Sequence, residues 1–311
     1  MSDEQFFFIK DGEKQVFNSS WYRGKHTNFI PTKAEFKKHN AIYEYFLKGL
    51  LPEEPFITKS MPLTAFGSCF AAHVSKYLAL KSYNILGKTL SLDAHIIRFG
   101  EGIVNTFAVL QQLEWALLDK EMPENLWFSK DKEIAPVSPQ IRSNTKKIML
   151  STEVFIFTLG LSEVWFDNQT GEALWRAVPL LLFDPKRHEF RQTTVSENVH
   201  NIKRIIEIVQ QHRPQAKIIF TLSPVPLSAT FRDIPCLIAN SVSKSTLRCA
   251  LDEALRSSGY SNVYYFPSYE LVTSALKNPF KEDNRHIRKD VVQSIMHIFE
   301  QSYCCDAPKR F

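Results

Sequence analysis

The sequence predicts a three-layer α/β domain, in which a parallel sheet of five strands has helices on both faces. Five short runs rich in β-branched and aromatic residues are separated by segments whose apolar residues recur at helical spacing. Most of these runs are apolar throughout, which is typical of strands covered on both faces. Strands that alternate with helices favour parallel pairing, and ligands then bind beyond the carboxyl ends of the strands.

The predicted elements alternate through most of the chain. The strands are expected at residues 63–66, 83–86, 154–159, 217–222 and 263–266. The helices are expected at residues 71–80, 106–118, 195–211, 245–257 and 288–303. In the last helix, one face is formed by the apolar residues Val291, Val292, Ile295, Ile298 and Phe299, as in an amphipathic helix packed on a core.

The remaining segments are expected to surround this domain, which occupies residues 56–305. Residues 1–55, rich in aromatic residues and lysines, predict an N-terminal extension packed on the domain, and residues 306–311 predict a tail. Residues around 120–150 contain three prolines and predict an irregular insertion. Residues 164–192 predict one or two hairpins, because a turn sequence at 168–171 separates two runs that contain aromatic residues.

Composition excludes several classes of protein. A chain of 311 residues that is 44% hydrophobic can bury a full core. The net charge of +5 is spread along the chain, so nucleic-acid binding is unsupported. We expect a cytoplasmic protein without a membrane span, because there is no signal-peptide pattern and no apolar run approaches about 20 residues. The five cysteines lack metal-site spacing, which predicts neither a disulfide framework nor a metal centre.

The first candidate site element is the sequence Gly67-Ser68-Cys69 at the end of the first predicted strand. It places a hydroxyl and a thiol at a strand-to-helix turn, where the free N–H groups of the helix can stabilise an anion. Either side chain could then act as a nucleophile. The alternative is purely structural, with Ser68 as the helix cap and Cys69 as a small buried residue.

A second element, Asp283-Asn284-Arg285-His286, precedes the last helix. The spacing allows the Asp283 carboxylate to accept the Nδ1–H of His286, which would leave Nε2 facing a nucleophile. His286 is therefore the candidate base and Asp283 its orienting group. Alternatively, Asp283 is a surface residue that caps the helix.

Two further segments offer donors to a developing oxyanion, each typically worth ~3 kcal/mol. One contains the Gly102 N–H and the Asn105 amide, and the other contains Ser162, next to Gly160 and Glu163 after the third strand. The alternatives are that Asn105 only caps a helix and that Ser162 and Glu163 only form a turn.

Taken in this order, these elements resemble the GSCFA family of the SGNH/GDSL hydrolase superfamily. The family is named for the motif that occurs here as Gly67-Ser68-Cys69-Phe70-Ala71. Residues 158–165, 221–227, 240–245, 266–270 and 283–286 are similar as well. The resemblance implies a flavodoxin-like domain in which Gly102 belongs to the oxyanion block and Asp283 and His286 to the terminal block. Ser162 stands where the superfamily has Asn and Glu163 where it has Asp, which weakens that donor or gives its role to Asn105.

The resemblance leaves the nucleophile open. Aligned on the glycine, Cys69 takes the nucleophile position, and a helix N-terminus beside an imidazole favours a thiolate. Ser68 adjoins it, and serine is the usual nucleophile of the superfamily.

The resemblance implies an acyl-transfer enzyme, either an esterase or an O-acyltransferase, acting on a carbohydrate or a similar polar acceptor. No cofactor is required, although acyl-coenzyme A is a possible donor. Gly160, Glu163, Trp165 and Lys244 are candidate substrate-binding residues, with Trp165 and Trp175 as sugar-stacking rings; the alternatives are a satellite aromatic core and a surface lysine. The competing hypothesis is a non-catalytic module that binds a glycan or a protein.

Overall fold

The computed structural model describes residues 6–17, 28–67, 69–89, 92–98, 103–123, 126–129, 132–134 and 138–307. The chain divides into two compact units, Met1–Ala41 and Ile42–Phe311. In the first unit, strands β1 (Phe6–Lys10) and β2 (Glu13–Phe17) form an antiparallel hairpin. A short 3₁₀ helix, Glu35–Lys37, follows in the same unit.

The second unit contains the remaining elements that the structure describes. Its strands are β3 (Leu63–Gly67), β4 (Trp127–Ser129), β5 (Lys132–Ile134), β6 (Val154–Leu159), β7 (Glu163–Asp167), β8 (His188–Gln192), β9 (Lys217–Leu222) and β10 (Val263–Tyr265). Its α-helices are α1 (Cys69–Leu80), α2 (Leu86–Thr89), α3 (His95–Arg98), α4 (Thr106–Leu117), α5 (Pro139–Ser151), α6 (Val195–His212), α7 (Cys236–Ser257), α8 (Ser268–Glu270) and α9 (Lys289–Tyr303). Short 3₁₀ or π turns occur at Tyr43–Leu47, Leu180–Leu182 and Leu271–Ala275.

The central sheet has four parallel strands in the order β10-β9-β6-β3. The prediction of five strands is therefore wrong within the described residues. The run at 83–86 forms a single parallel bridge, Leu63 to Ile85, beyond β3, in which the Leu63 N–H donates to the Asn84 carbonyl. Helix α2 begins at Leu86, so the chain turns away before a second bridge can form.

Most other predictions of secondary structure are confirmed. Strands β6 and β9 have the predicted bounds, and the helices predicted at 106–118, 195–211 and 288–303 match α4, α6 and α9 to within one residue. Within the segment predicted to form hairpins, β7 and β8 pair antiparallel, but the turn at 168–171 closes a single bridge, Phe166 to Ala173, and β8 begins only at His188. The irregular insertion around 120–150 is corrected, because it contains the 13-residue helix α5, and α7 begins nine residues before the predicted start.

Two apolar clusters lie on opposite faces of the sheet, because successive strand residues point to opposite sides. One cluster contains Phe157 and Phe220 with residues of α4, α5, α6 and α7. The other contains Ile156 and Ile219 with residues of α1 and α9. Helices thus cover both faces of the sheet, and the ends of its strands are left accessible. Among the helices that the structure describes, none is long and apolar enough to cross a membrane.

Candidate active site

The turn after β3 depends on a glycine at its last position. Gly67 has φ +123°, a backbone conformation that side chains of L-residues rarely adopt. A Cβ atom placed there would lie 2.1 Å from the Thr158 carbonyl oxygen of the neighbouring strand β6. The chain then enters α1 at Cys69. Ser68, the Cys69 side chain and Gly102 lie outside the described residues, so their proposed roles stay predictions.

Asp283 and His286 meet as the sequence spacing predicts. The His286 Nδ1 lies 2.5 Å from Asp283 Oδ2, and the backbone N–H groups of Arg285 and His286 donate to Asp283 Oδ1. These bonds hold the pKa of the Asp283 carboxyl well below its usual range, with the imidazole bond as the largest cause. The carboxylate therefore stays ionised and holds the imidazole in one orientation.

The proton of His286 can be assigned from its neighbours. Arg285 Nη1 lies 3.3 Å from His286 Nε2, and a guanidinium can only donate. Nε2 is therefore the acceptor, and Nδ1 carries the proton that faces Asp283. This is the tautomer that a general base requires.

Arg285, which lies between Asp283 and His286 in the chain, lines a cavity of about 410 Å³, whereas those two residues are not among its lining residues. Asn105, Glu163 and Trp165 line it together with Arg285, the neighbour of His286. The cavity thus brings together residues that the sequence places in three separate segments. A second cavity, of about 440 Å³, is lined by Gln111 and other residues outside these segments and contains none of the predicted site residues.

Asn105 and Gly160 hold the inner wall of the first cavity in place. The Asn105 side chain caps α4 by accepting the Ala108 N–H at 2.9 Å, which confirms the interpretation as a helix cap. Its carboxamide NH₂ remains as the donor of that side chain. The Gly160 N–H donates to the Val104 carbonyl at 2.6 Å, so Gly160 fixes the loop before α4 and does not offer this N–H to a substrate.

The structure gives Ser162 a different role from oxyanion donor. Ser162 is fully buried, and its N–H donates to Ser243 Oγ at 2.8 Å. Its hydroxyl lies 3.2 Å from Ser243 and accepts from Gln192 Nε2 at 2.6 Å. Ser162 therefore joins β7 to α7 and β8, because all its polar groups are used within the protein.

Lys244 is buried, with 1% of its surface exposed, so its interpretation as a surface lysine is wrong. Its ammonium donates to the carbonyl oxygens of Gly160, Ser223 and Val225 at 2.6 to 2.8 Å. Burial, followed by the positive charge of Arg285, lowers the pKa of Lys244 to about 7. Lys244 joins the loops that leave β6 and β9, and this position explains why it does not contact the cavity as a substrate ligand.

The two tryptophans differ in their surroundings. Trp165 is half-buried, lines the cavity and packs against Phe183, Phe190 and Phe231 with ring centroids 5.0 to 5.7 Å apart. Trp175 also lines the cavity but is buried in the main core, and its indole N–H donates to Gln111 Oε1 at 2.9 Å. Trp165 therefore remains the candidate stacking ring, whereas Trp175 fits the core alternative.

Sequence reasoning missed Arg176, Arg285 and Phe231 as cavity residues. Arg285 lies inside the spacing between Asp283 and His286, so its position was a usable signal. Arg176 and Phe231 lie in loops, and no spacing in the sequence relates them to the strand ends.

The model of the GSCFA family matches residues 62–299. No protein of curated function matches the chain. Among solved structures, the chain is similar to an acetyl esterase mutant with acetate ion, at 10% identity over 76% of this chain and 92% of that chain, with a TM-score of 0.32.

It is also similar to a carbohydrate esterase family 2 enzyme plus carbohydrate binding domain from Corynascus thermopiles (Myceliophthora fergusii), at 12% identity over 80% of this chain and 66% of that chain, with a TM-score of 0.35. A family two carbohydrate esterase from Cellvibrio japonicus shares 12% identity over 80% of this chain and 62% of its own length, with a TM-score of 0.33. At these identities and TM-scores, the likenesses do not bear on the chemistry of this chain.

Proposed function

Because the chain belongs to the GSCFA family, we propose that it is an acyl-transfer enzyme of the SGNH hydrolase kind, either an esterase or an O-acyltransferase. The observation that supports this most directly is the contact of Asp283 with His286 Nδ1, beside a cavity that Arg285 lines. Asp283 buttresses the half-exposed imidazole at Nδ1, and in this proposal Nε2 exchanges its contact with Arg285 for the nucleophile and acts as the general base.

The nucleophile in this proposal is Cys69 or Ser68, at the start of α1. Its sulfur or oxygen attacks the carbonyl carbon of an ester or thioester, and His286 Nε2 takes its proton. The tetrahedral intermediate then collapses, the bond to the leaving group breaks, and His286 returns the proton to that group. Water or an acceptor hydroxyl next attacks the acyl carbonyl carbon and gives its proton to His286. The bond between the acyl group and Cys69 or Ser68 then breaks, and His286 returns the proton to the released sulfur or oxygen.

Oxyanion stabilisation is assigned to the N–H groups at the start of α1, to Gly102 and to the NH₂ group of Asn105. Each donor of this kind is typically worth about 3 kcal/mol of transition-state energy. Ser162 is left out of this group because its hydrogen bonds are all internal. The acceptor is proposed to be a carbohydrate, with Trp165 as its stacking surface, and acyl-coenzyme A is a possible donor.

The internal bonding of Ser162 favours one other function. A fold that keeps the cavity but lacks the third oxyanion donor suits a non-catalytic module that binds a glycan or a protein. The two functions differ in whether Cys69 or Ser68 is activated, because a binding module has no reason to raise the reactivity of either.

The test is labelling of the protein with a fluorophosphonate and, separately, with iodoacetamide, followed by peptide mapping. Mapping is needed because Cys249 and Cys305 are exposed thiols that will react at ordinary rates. Cys304 is an internal slow reference, since burial raises the pKa of its thiol to about 12. Fast labelling of Ser68 supports a hydrolase, and fast labelling of Cys69 supports a transferase.

The matched variants are His286→Ala and His200→Ala, which remove one exposed histidine each. We expect only His286→Ala to abolish the fast labelling, by about 100-fold or more if the imidazole is the base. Equal rates in both variants would remove His286 from the mechanism. Ordinary rates at both Ser68 and Cys69 in the unaltered protein would favour the binding module.

A further inference from the structure

The charges around the first cavity do not balance. Glu163 is the acidic residue among those that line it, and Arg232 Nη1 pairs with its Oε1 at 3.2 Å. Arg176 and Arg285 line the same cavity. Over the described ranges of the chain, neither arginine pairs with a carboxylate. Arg176 is exposed and its guanidinium carbon lies 5.4 Å from the centroid of the Trp127 ring. The cavity therefore has two positive charges without a carboxylate partner among the described residues, which attracts an anionic ligand.

Arg285 is also incompletely hydrogen-bonded. Its Nη1 reaches His286 Nε2, but its Nε is buried and has no partner among the described residues. A buried N–H without an acceptor is costly, and more so when it belongs to a charged group. A carboxylate or phosphate that took up both the Nε and Nη donors would remove this cost through a bidentate contact.

Two neighbouring residues also have a buried polar atom without a hydrogen-bond partner among the described residues. The indole N–H of Trp165 and Oε2 of Glu163 are buried without a partner in the part of the chain that the structure describes. Both residues line the cavity, and Trp165 adds an aromatic surface shared with Phe190 and Phe231. Unmatched donors, an unmatched acceptor and aromatic rings together suit a ligand with hydroxyl groups, an acidic group and a ring whose C–H face is apolar.

We infer that this cavity binds a ring-shaped, hydroxylated anion, such as a sugar that has a carboxylate or phosphate group. Arg285 holds the anionic group next to His286, Arg176 adds to the attraction, and Trp165 packs against the ring. That this anion is the substrate rests on the proposed acyl-transfer function; that it binds here rests on the cavity alone.

The experiment is isothermal titration calorimetry with three probes: glucuronate, glucose 6-phosphate and uncharged glucose. We expect one or both anions to bind more tightly than glucose, and this preference to weaken as salt is added. Comparison of the two anions tells whether the site favours a carboxylate or a phosphate. Arg285→Gln is expected to weaken binding of the preferred anion by about tenfold or more, and Arg176→Gln by about threefold.

Arg204→Gln is the matched control, because Arg204 is an exposed arginine on α6 that pairs with Glu207. It should leave anion binding unchanged. Arg285→Lys keeps the charge but loses the bidentate contact, so its affinity for the anion should lie between those of the wild type and Arg285→Gln. This variant also replaces Arg285→Gln in the test if Arg285→Gln melts below the assay temperature. Equal affinity for glucose and both anions, or full anion affinity in both Arg285 variants, overturns the inference.

The labelling assay separates this inference from the proposed function. Fast, His286-dependent labelling together with no preference for anions would retain the enzyme and refute the anion site. Anion binding that depends on Arg285, with only ordinary labelling rates, would retain the site and refute the enzyme.

Discussion

Replacing Gly67 with alanine tests the close approach of β3 to β6, on which the position of the turn into α1 depends. The added Cβ would lie 2.1 Å from the Thr158 carbonyl oxygen, where real contacts of a Cβ begin near 3.0 Å. The obstacle is backbone, so the two strand ends must separate by about 1 Å, which is an overpacking cost of roughly 1–3 kcal/mol. The φ of +123° adds about 1–3 kcal/mol of strain for any L-residue. We expect Gly67→Ala to lower the free energy of unfolding by about 2–6 kcal/mol.

Urea denaturation followed by circular dichroism measures this loss, with Gly259→Ala as the control. Gly259 also has a positive φ, +73°, but a Cβ there meets nothing within 4 Å. Gly259→Ala should therefore cost only the strain, about 1–2 kcal/mol. The reasoning is refuted if the two variants lose the same stability, because the contact with Thr158 would then contribute nothing.

Three other predictions follow from buried or buttressed charges. The folded pKa of Lys244, about 7, lies below its unfolded value of 10.5, so between these values the unfolded chain binds more protons than the folded one. The free energy of unfolding should therefore rise as the pH increases from 7 to 10.5. Denaturation at pH 7 and pH 9 should show a smaller rise in Lys244→Met than in the unaltered protein. Glu197 has its pKa lowered to about 2, chiefly by its hydrogen bond from Arg191. The stabilisation from the ionised Glu197 should be present above pH 4.5 and be lost as the pH falls toward 2. Glu197→Gln should therefore lower the free energy of unfolding by about 1 kcal/mol at pH 7, after allowance for solvent screening, and by less near pH 3. An equal cost at both pH values contradicts this. Asp283→Asn should slow the fast labelling by about 100-fold or more without changing the melting temperature greatly, because it removes the acceptor that orients His286; unchanged labelling would show that the carboxylate is not required.

The strands of the sheet were predicted best where the sequence has a continuous apolar run. Strands β6 and β9 are buried over almost their whole length, and their continuous apolar runs have no helical alternative of the same length. The segment at 83–86 is also mostly apolar, but its structure is decided by the early start of α2 at Leu86. That outcome depends on tertiary context, which composition does not contain.

Helix α5 was missed for a local reason. Three prolines suggested an irregular segment, yet Pro139 occupies the first turn of the helix, where proline is tolerated. Ile141, Thr145, Ile148 and Met149 then lie on one buried face. The spacing was present in the sequence, but the polar residues between these four positions obscured it.

Some contacts of the candidate site could be predicted from the sequence and others could not. The contact between Asp283 and His286 was predictable, because three residues of sequence fix its geometry. The roles of Ser162 and Lys244 were not, because both depend on α7, about 80 residues away from Ser162 or from the Gly160 carbonyl. A buried lysine that donates to three carbonyl groups has no signature in a linear pattern.

The two borders of the central sheet limit how this molecule can associate with its own copies. At one border, β10 supplies only three residues, and at the other, the Leu63 end of β3 is already bridged by Ile85. An open strand edge is a template onto which another chain can add by backbone hydrogen bonding, with aggregation or strand exchange as the result. Short and partly occupied edges offer few such hydrogen bonds, so this sheet is a poor seed for edge-to-edge growth.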